Sequence, residues 1–183
     1  MSAGTRAFPI TIEQYEGFEG YPGLRDELIN GRIVMSPEAK PLHQLVAKKI
    51  ERAFDDLTEG SAYVANQDTN FKFPALNSMP APDVFIVRRD EWLEACRQEA
   101  YMSTPPLVAV EILSPANRRS RVAEKVGIYL TAGVLSVWVV DLKRQMVRVH
   151  STGTEIVYGS SDSIPLPVPL TGSVALEGIF KLE

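Results

Sequence analysis

The stretch "LVAVEIL", residues 107 to 113, restricts the fold more than any other part of the chain. It is apolar apart from Glu111 and lacks the polar alternation of a half-exposed strand, so it suits a central strand covered on both faces. Such a strand needs a layer on each side of its sheet, and the flanking segments supply candidates. Beyond Ser114-Pro115, Asn117 can cap a helix with the stripe Val122, Val126, Tyr129 and Leu130, and Gly133 supplies a left-handed stop. "LSVWVVD" and "QMVRVHS" then read as strands, with "TEIVYG" as a third.

Upstream, "DELINGRIVMSP" predicts a hairpin over residues 26 to 36, because Asn30-Gly31 readily takes the two positive φ angles of a type I′ turn. The next segment places Leu42, Leu45, Val46, Ile50, Ala53, Phe54 and Leu57 at three- and four-residue spacings, which predicts an amphipathic helix ending near Gly60 with those residues as its core face. His43 falls beside that stripe. "AYVANQDTNFKF" and "PDVFIVRR" read as strands, the second entered through Pro80 and Pro82. A short helix follows, with Asp90 as its cap and Trp92, Leu93 and Cys96 along it. Prolines at 165, 167 and 169 predict an extended arm packed over the body. The order predicts one mixed α/β domain over residues 1–183, a mixed central β-sheet flanked by helices. Its core covers about residues 15–160, and 161–183 form the C-terminal arm.

Apolar residues at 45% and charged residues at 23% fit an ordinary globular protein and exclude a disordered chain. No run approaches the roughly 18 apolar residues of a membrane span, and "MSAGTRAFPI" lacks the core of a signal peptide, so the expected location is the cytoplasm. The single cysteine, Cys96, forms no internal disulfide or cysteine-rich metal site and is expected to pack in its helix. A net charge of -4 argues against tight nonspecific binding to a polyanion. Any nucleic-acid contact is therefore local, at Lys48, Lys49 and Arg52, at Arg88 and Arg89, or at Arg118, Arg119 and Arg121. Such groups are more often solvated faces than phosphate sites.

Glu111 carries the chemistry, because an unpaired buried carboxylate costs several kcal/mol or takes up a proton. Asp83 opens another apolar strand. If the two strands are neighbours, their carboxylates converge and call for a cation, for which a hard divalent ion is the simplest candidate. An Asp83 that caps a turn and a Glu111 paired with an arginine fit the same spacing. Lys125 stands 14 positions after Glu111, where a crossover helix would return it to that carboxylate. Arg121, Lys125 and Tyr129 follow one another at single turns, a polar line suited to phosphate. A solvated lysine beside Glu124 is the plainer alternative.

In this order, "DELINGRIVMSP", a helix with His43, "PDVFIV", "VAVEILSPANRRSRVAEKVGIYLTAGV" and "VWVVD" resemble the Uma-type putative restriction endonuclease family, a branch of the PD-(D/E)XK nuclease superfamily. The resemblance covers about residues 15 to 180 and implies a restriction-endonuclease-like core with an N-terminal hairpin. It implies catalytic roles for Glu27, Asp83, Glu111 and Lys125, with Mg²⁺ or Mn²⁺ held by Asp83 and Glu111. The superfamily's lysine stands two positions after the acidic residue, where this chain has Leu113, and the family moves it to the next helix, at Lys125. His43 would support the metal ligands, and Arg118, Arg119 and Arg121 would bind backbone phosphates. Lys125's charge is expected to keep the neighbouring carboxylates ionised. Where the family has Asp-Gly-Glu in the hairpin, this chain has Asn30-Gly31-Arg32. The implied function is metal-dependent hydrolysis of phosphodiester bonds in nucleic acid, DNA above all, with a homodimer suited to a duplex. The alternative is a catalytically inactive nuclease-fold module that binds nucleic acid or a protein.

Overall fold

The structure, a computed structural model, describes residues 9–114 and 119–181. A short helix, α1 (Ile12–Glu16), precedes the hairpin of β1 (Leu24–Ile29) and β2 (Arg32–Pro37). Asn30 and Gly31 take φ of 49° and 71°, the pair of positive angles a type I′ turn requires. The helix α2 (Pro41–Thr58) follows. It buries His43, Val46, Ala47, Ile50 and Phe54, whereas Leu42 and Leu45 remain 44% and 41% exposed. The core face expected from the sequence is thus rotated by about one position. Two interleaved stripes satisfy the helical spacing, and the one containing His43 faces the sheet.

The strand β3 (Tyr63–Gln67) ends before the expected run does, because Asp68 turns the chain at φ 52°. Phe71 and Phe73 then form only isolated bridges, to Met102 and Ser78. β4 (Val84–Arg88) leads directly into α3 (Arg89–Gln98), so the cap is Arg88 and Asp90 lies in the first turn. Trp92 and Ala95 pack α3 against the body, leaving Leu93 and Cys96 exposed. Cys96 therefore does not pack as the sequence suggests.

The run around Glu111 becomes β5 (Val108–Ile112), buried at every position. It is followed by α4 (Arg119–Ala132), β6 (Ser136–Asp141), β7 (Met146–Ser151) and β8 (Thr154–Gly159). The expected cap Asn117 lies outside the described residues. Six strands form one sheet in the order β3-β4-β5-β6-β7-β8, with β5 and β6 parallel and every other pair antiparallel. Val84, Ile86, Val110, Ile112 and Trp138 face α2, while Phe85, Ala109, Val137 and Val139 face α4 through Val122, Val126 and Tyr129. Two-sided cover explains why β5 lacks polar alternation.

The C-terminal segment packs over the α2 face but is not an extended arm. β9 (Ser163–Pro165) pairs with β10 (Ser173–Ala175), and α5 (Leu176–Phe180) follows. The spacing of the prolines overstates extension, because Ile164, Leu166, Leu170, Val174, Leu176 and Ile179 bury their side chains in the α2 core. Leu166 N–H donates to the Gly172 carbonyl at 3.0 Å, closing the loop that carries the prolines. No helix among the described residues is long and apolar enough to cross a membrane.

Candidate active site

Parallel pairing of β5 with β6 obliges the chain to cross between them, and α4 makes that crossing. The helix thereby returns Lys125 to Glu111. Lys125 Nζ donates to Glu111 Oε1 at 2.6 Å, to Glu27 Oε1 at 2.7 Å and to the Ala81 carbonyl at 3.2 Å. Tyr129, one turn further, donates its hydroxyl to the same Glu111 oxygen at 2.8 Å. Glu27 comes from β1, and its Oε1 also accepts the Ala81 N–H at 2.6 Å. Three segments distant in sequence thus meet at one ammonium.

Asp83 lies beside this group, since β4 pairs with β5 in the register Val84 to Val110 and Asp83 N–H donates to the Val110 carbonyl at 2.8 Å. Its Oδ2 accepts the Ile112 N–H at 2.7 Å and stands 3.3 Å from His43 Nε2. The same imidazole nitrogen is 3.1 Å from the Ile112 carbonyl. Asp83 Oδ1 turns toward Arg25, 3.6 Å from NH1, while NH2 of that guanidinium contacts Asp68 Oδ1 at 2.6 Å. A cleft of about 270 Å³ opens over Asp83 and His43, lined also by Arg25, Glu38, Gln67 and Asp68. Asp83 and His43 are therefore at the cleft floor, and Glu111 with Lys125 belongs to the packed interior behind it.

The electrostatics differ between the two strand-borne carboxylates. Burial, reinforced by the charges of Asp83 and Glu27, outweighs Lys125 and pushes the Glu111 carboxyl up to about 8. Burial also pushes Asp83 upward, but the hydrogen bond and charge of His43, the charge of Lys125 and the Ile112 N–H hold it below the usual carboxylate range. The charge of Lys125 lowers both carboxyls, as expected, but at Glu111 it does not overcome burial. Lys125 itself is pushed down by burial and up, more strongly, by Glu111, Glu27 and Asp83, so it stays charged. His43 is raised in the same manner: burial opposes, while Asp83 and the Ile112 carbonyl prevail.

The structure describes two of the three expected phosphate-binding arginines. Arg118 lies outside the described residues, Arg119 begins α4, and Arg121 is exposed in its first turn. The polar line Arg121, Lys125 and Tyr129 is divided: Lys125 and Tyr129 turn into the core, and only Arg121 faces solvent. Glu124 pairs with Arg32 and accepts from Asn30 at 2.7 Å, which fastens the hairpin to α4 and gives Arg32 a partner within the chain. Elsewhere Lys48 pairs with Glu51, Lys49 donates to the Gly178 carbonyl, Arg88 pairs with Asp90 and Arg89 donates to the Tyr63 carbonyl.

Sequence reasoning missed Arg25 and Asp68, as well as Tyr129 as the partner of Glu111. A signal existed for two of them. Arg25 stands two residues before Glu27 and shares its side of the strand, and Tyr129 shares the helix side of Lys125. Nothing local pointed to Asp68. Among the described residues, no three or more His, Cys, Asp or Glu side chains gather into a metal-holding group.

Residues 12–179 match the family Uma2, described as "Putative restriction endonuclease". The chain belongs to the Uma2 family. The Uma2 match runs from α1 into α5 and so contains every side chain of the cluster, in agreement with the resemblance of its ordered motifs. Among solved structures, a protein of Anabaena variabilis ATCC 29413 described as "a putative nuclease belonging to DUF820" superposes with a TM-score of 0.77. The two are 19% identical, and the alignment covers 94% of this Uma2 chain and 98% of the other. That likeness is one of fold. No curated protein matches.

Proposed function

We propose that the chain is a metal-dependent nuclease that hydrolyses phosphodiester bonds in DNA. The observation that carries this reading is the Lys125 ammonium held between Glu111 and Glu27, next to Asp83 at the floor of an open cleft. Stability alone explains such a cluster poorly, because well-packed apolar residues do as well as buried ion pairs or better. Membership of a family described as "Putative restriction endonuclease" supports the same reading.

Asp83 and Glu111 would hold a Mg²⁺ or Mn²⁺ ion. The donor set fits once a bound divalent cation displaces the Glu111 proton: the two carboxyl groups come from adjacent strands, the Ile112 carbonyl lies 3.1 Å from the His43 nitrogen that holds Asp83, and Mg²⁺ needs only one or two carboxylates because it retains several waters. When bound, the ion lowers the pKa of a coordinated water and offsets charge on the phosphoryl oxygens. Lys125 remains protonated, so it serves as a fixed positive charge and hydrogen-bond donor toward water or phosphoryl oxygen, and not as a base. Glu27 holds that ammonium in place, itself anchored by the Ala81 N–H. His43 secures Asp83 Oδ2 and leaves Oδ1 toward the cleft. Arg121, exposed in the first turn of α4, would meet backbone phosphates together with Arg118 and Arg119, which precede it in the sequence. A symmetric dimer would set one site against each strand of a duplex. Sedimentation equilibrium should then give twice the chain mass, and a monomer at every concentration would remove that assembly.

Calorimetric titration of Mg²⁺ and Mn²⁺ tests the metal site. Wild type should bind, and Asp83→Ala and Glu111→Ala, checked for folding by circular dichroism, should not. Equal affinity in either variant would remove that residue from the site. No binding by wild type, with DNA absent or present, would favour an inactive module instead.

A further inference from the structure

Arg25 and Asp68 stand at the mouth of the cleft, outside the residues assigned above. Among the described residues that line the cleft, Arg25 is the one lysine or arginine, set among Glu38, Asp68 and Asp83. Its guanidinium divides between two carboxylates, NH2 on Asp68 at 2.6 Å and NH1 at 3.6 Å from Asp83. The two contacts are unequal in kind. Asp83 is buried and fixed by Ile112 N–H and His43, whereas the Asp68 side chain is 61% exposed on the turn after β3. An exposed ion pair contributes little and is easily exchanged. A guanidinium presents paired donors that match phosphate oxygens as well as carboxylate oxygens.

We infer that Arg25 is the residue that receives a backbone phosphate of the nucleic acid, and that Asp68 occupies its guanidinium until the substrate arrives. The inference rests on the nuclease reading for the nature of the anion. An incoming phosphate exchanges with the Asp68 carboxylate at NH2, while NH1 stays near Asp83. Arg25 thus becomes a substrate-positioning residue at the entrance to the cluster, and Asp68 a built-in competitor that weakens binding.

The test is a double-mutant cycle on binding, read by fluorescence anisotropy with a labelled oligonucleotide, single-stranded and duplex, in Ca²⁺. Arg25→Ala should weaken binding about tenfold, as expected for loss of one charged hydrogen-bonding contact. Arg25→Lys should recover part of that loss and also controls for folding. Asp68→Asn should tighten binding about threefold, and only when Arg25 is present. A merely structural ion pair gives the opposite sign, because breaking it would loosen the site. Equal tightening by Asp68→Asn in the Arg25→Ala background would show a general effect of removed negative charge and overturn the inference. So would unchanged binding in Arg25→Ala, or failure of both wild type and Asp68→Asn to bind either oligonucleotide. Parallel assays with Mg²⁺ separate the two readings. A wild type that cleaves nothing while the cycle retains its coupling would sink the nuclease and keep the phosphate site; cleavage without coupling would do the reverse.

Discussion

Glu111 is only 5% exposed and shares one oxygen between Lys125 and Tyr129. Its pKa rises on folding, from about 4.5 to about 8, so the folded state prefers the protonated form. The resulting stability is complete at acid pH and is lost as pH rises through about 8. Asp83 acts in the opposite sense: its pKa is lowered, and its contribution declines as pH falls below the usual carboxylate range. Glu111→Gln should therefore gain on wild type by up to a few kcal/mol between about pH 5 and 8, measured by urea denaturation in chelator. A pH response identical to wild type would contradict this account of Glu111. The puzzle itself was legible in the sequence, since a carboxylate inside "LVAVEIL" demands a partner. The identity of that partner was legible only as a distance along the chain, 14 positions to Lys125. Arg25 was not legible, because a hairpin arginine ordinarily faces water, and only the fold brings Asp68 and Asp83 to it.

At the level of elements, the turn of the first hairpin has a further role in aligning the site. A Cβ on Gly31, already at φ 71°, would stand 2.5 Å from the Pro9 Cβ and 2.7 Å from Asn77 Nδ2. Gly31 N–H also donates to the Asn77 carbonyl, and its own carbonyl accepts from Ile10. Gly31→Ala should therefore cost about 2 kcal/mol or more, beyond the ordinary penalty of positive φ, and shift Glu27 away from Lys125. Urea denaturation and metal affinity should both fall; a variant with unchanged stability and unchanged metal binding would contradict the clasp. The turn, the central strand and the helix after it were readable, because each has its own local chemistry. The buried side of α2 was not, since Leu42 and Leu45 fit the helical period as well as His43 and Ala47 do, and only the sheet distinguishes them. The C-terminal prolines misled for a related reason: they fix φ locally, while the pairing of β9 with β10 is a long-range matter.

Across the whole molecule, one parallel pair in an otherwise antiparallel sheet creates the site. The crossing between β5 and β6 places α4 over Glu111, the β4 to β5 register sets Asp83 beside it, and the hairpin closes the group with Glu27. Net charge is -4, and most of the basic groups with described side chains have partners within the chain, so nucleic acid would be engaged over a short stretch. A shallow dependence of binding on salt follows, since the slope scales with the phosphates neutralised. The most direct measurement is cleavage of plasmid and linear DNA in Mg²⁺ by wild type, Asp83→Ala and Lys125→Ala. Wild type should cut, Asp83→Ala should not, and Lys125→Ala should bind metal but cut about a hundredfold more slowly. Wild-type rates in either variant, or no cleavage of any DNA by wild type at saturating metal, would contradict this mechanism.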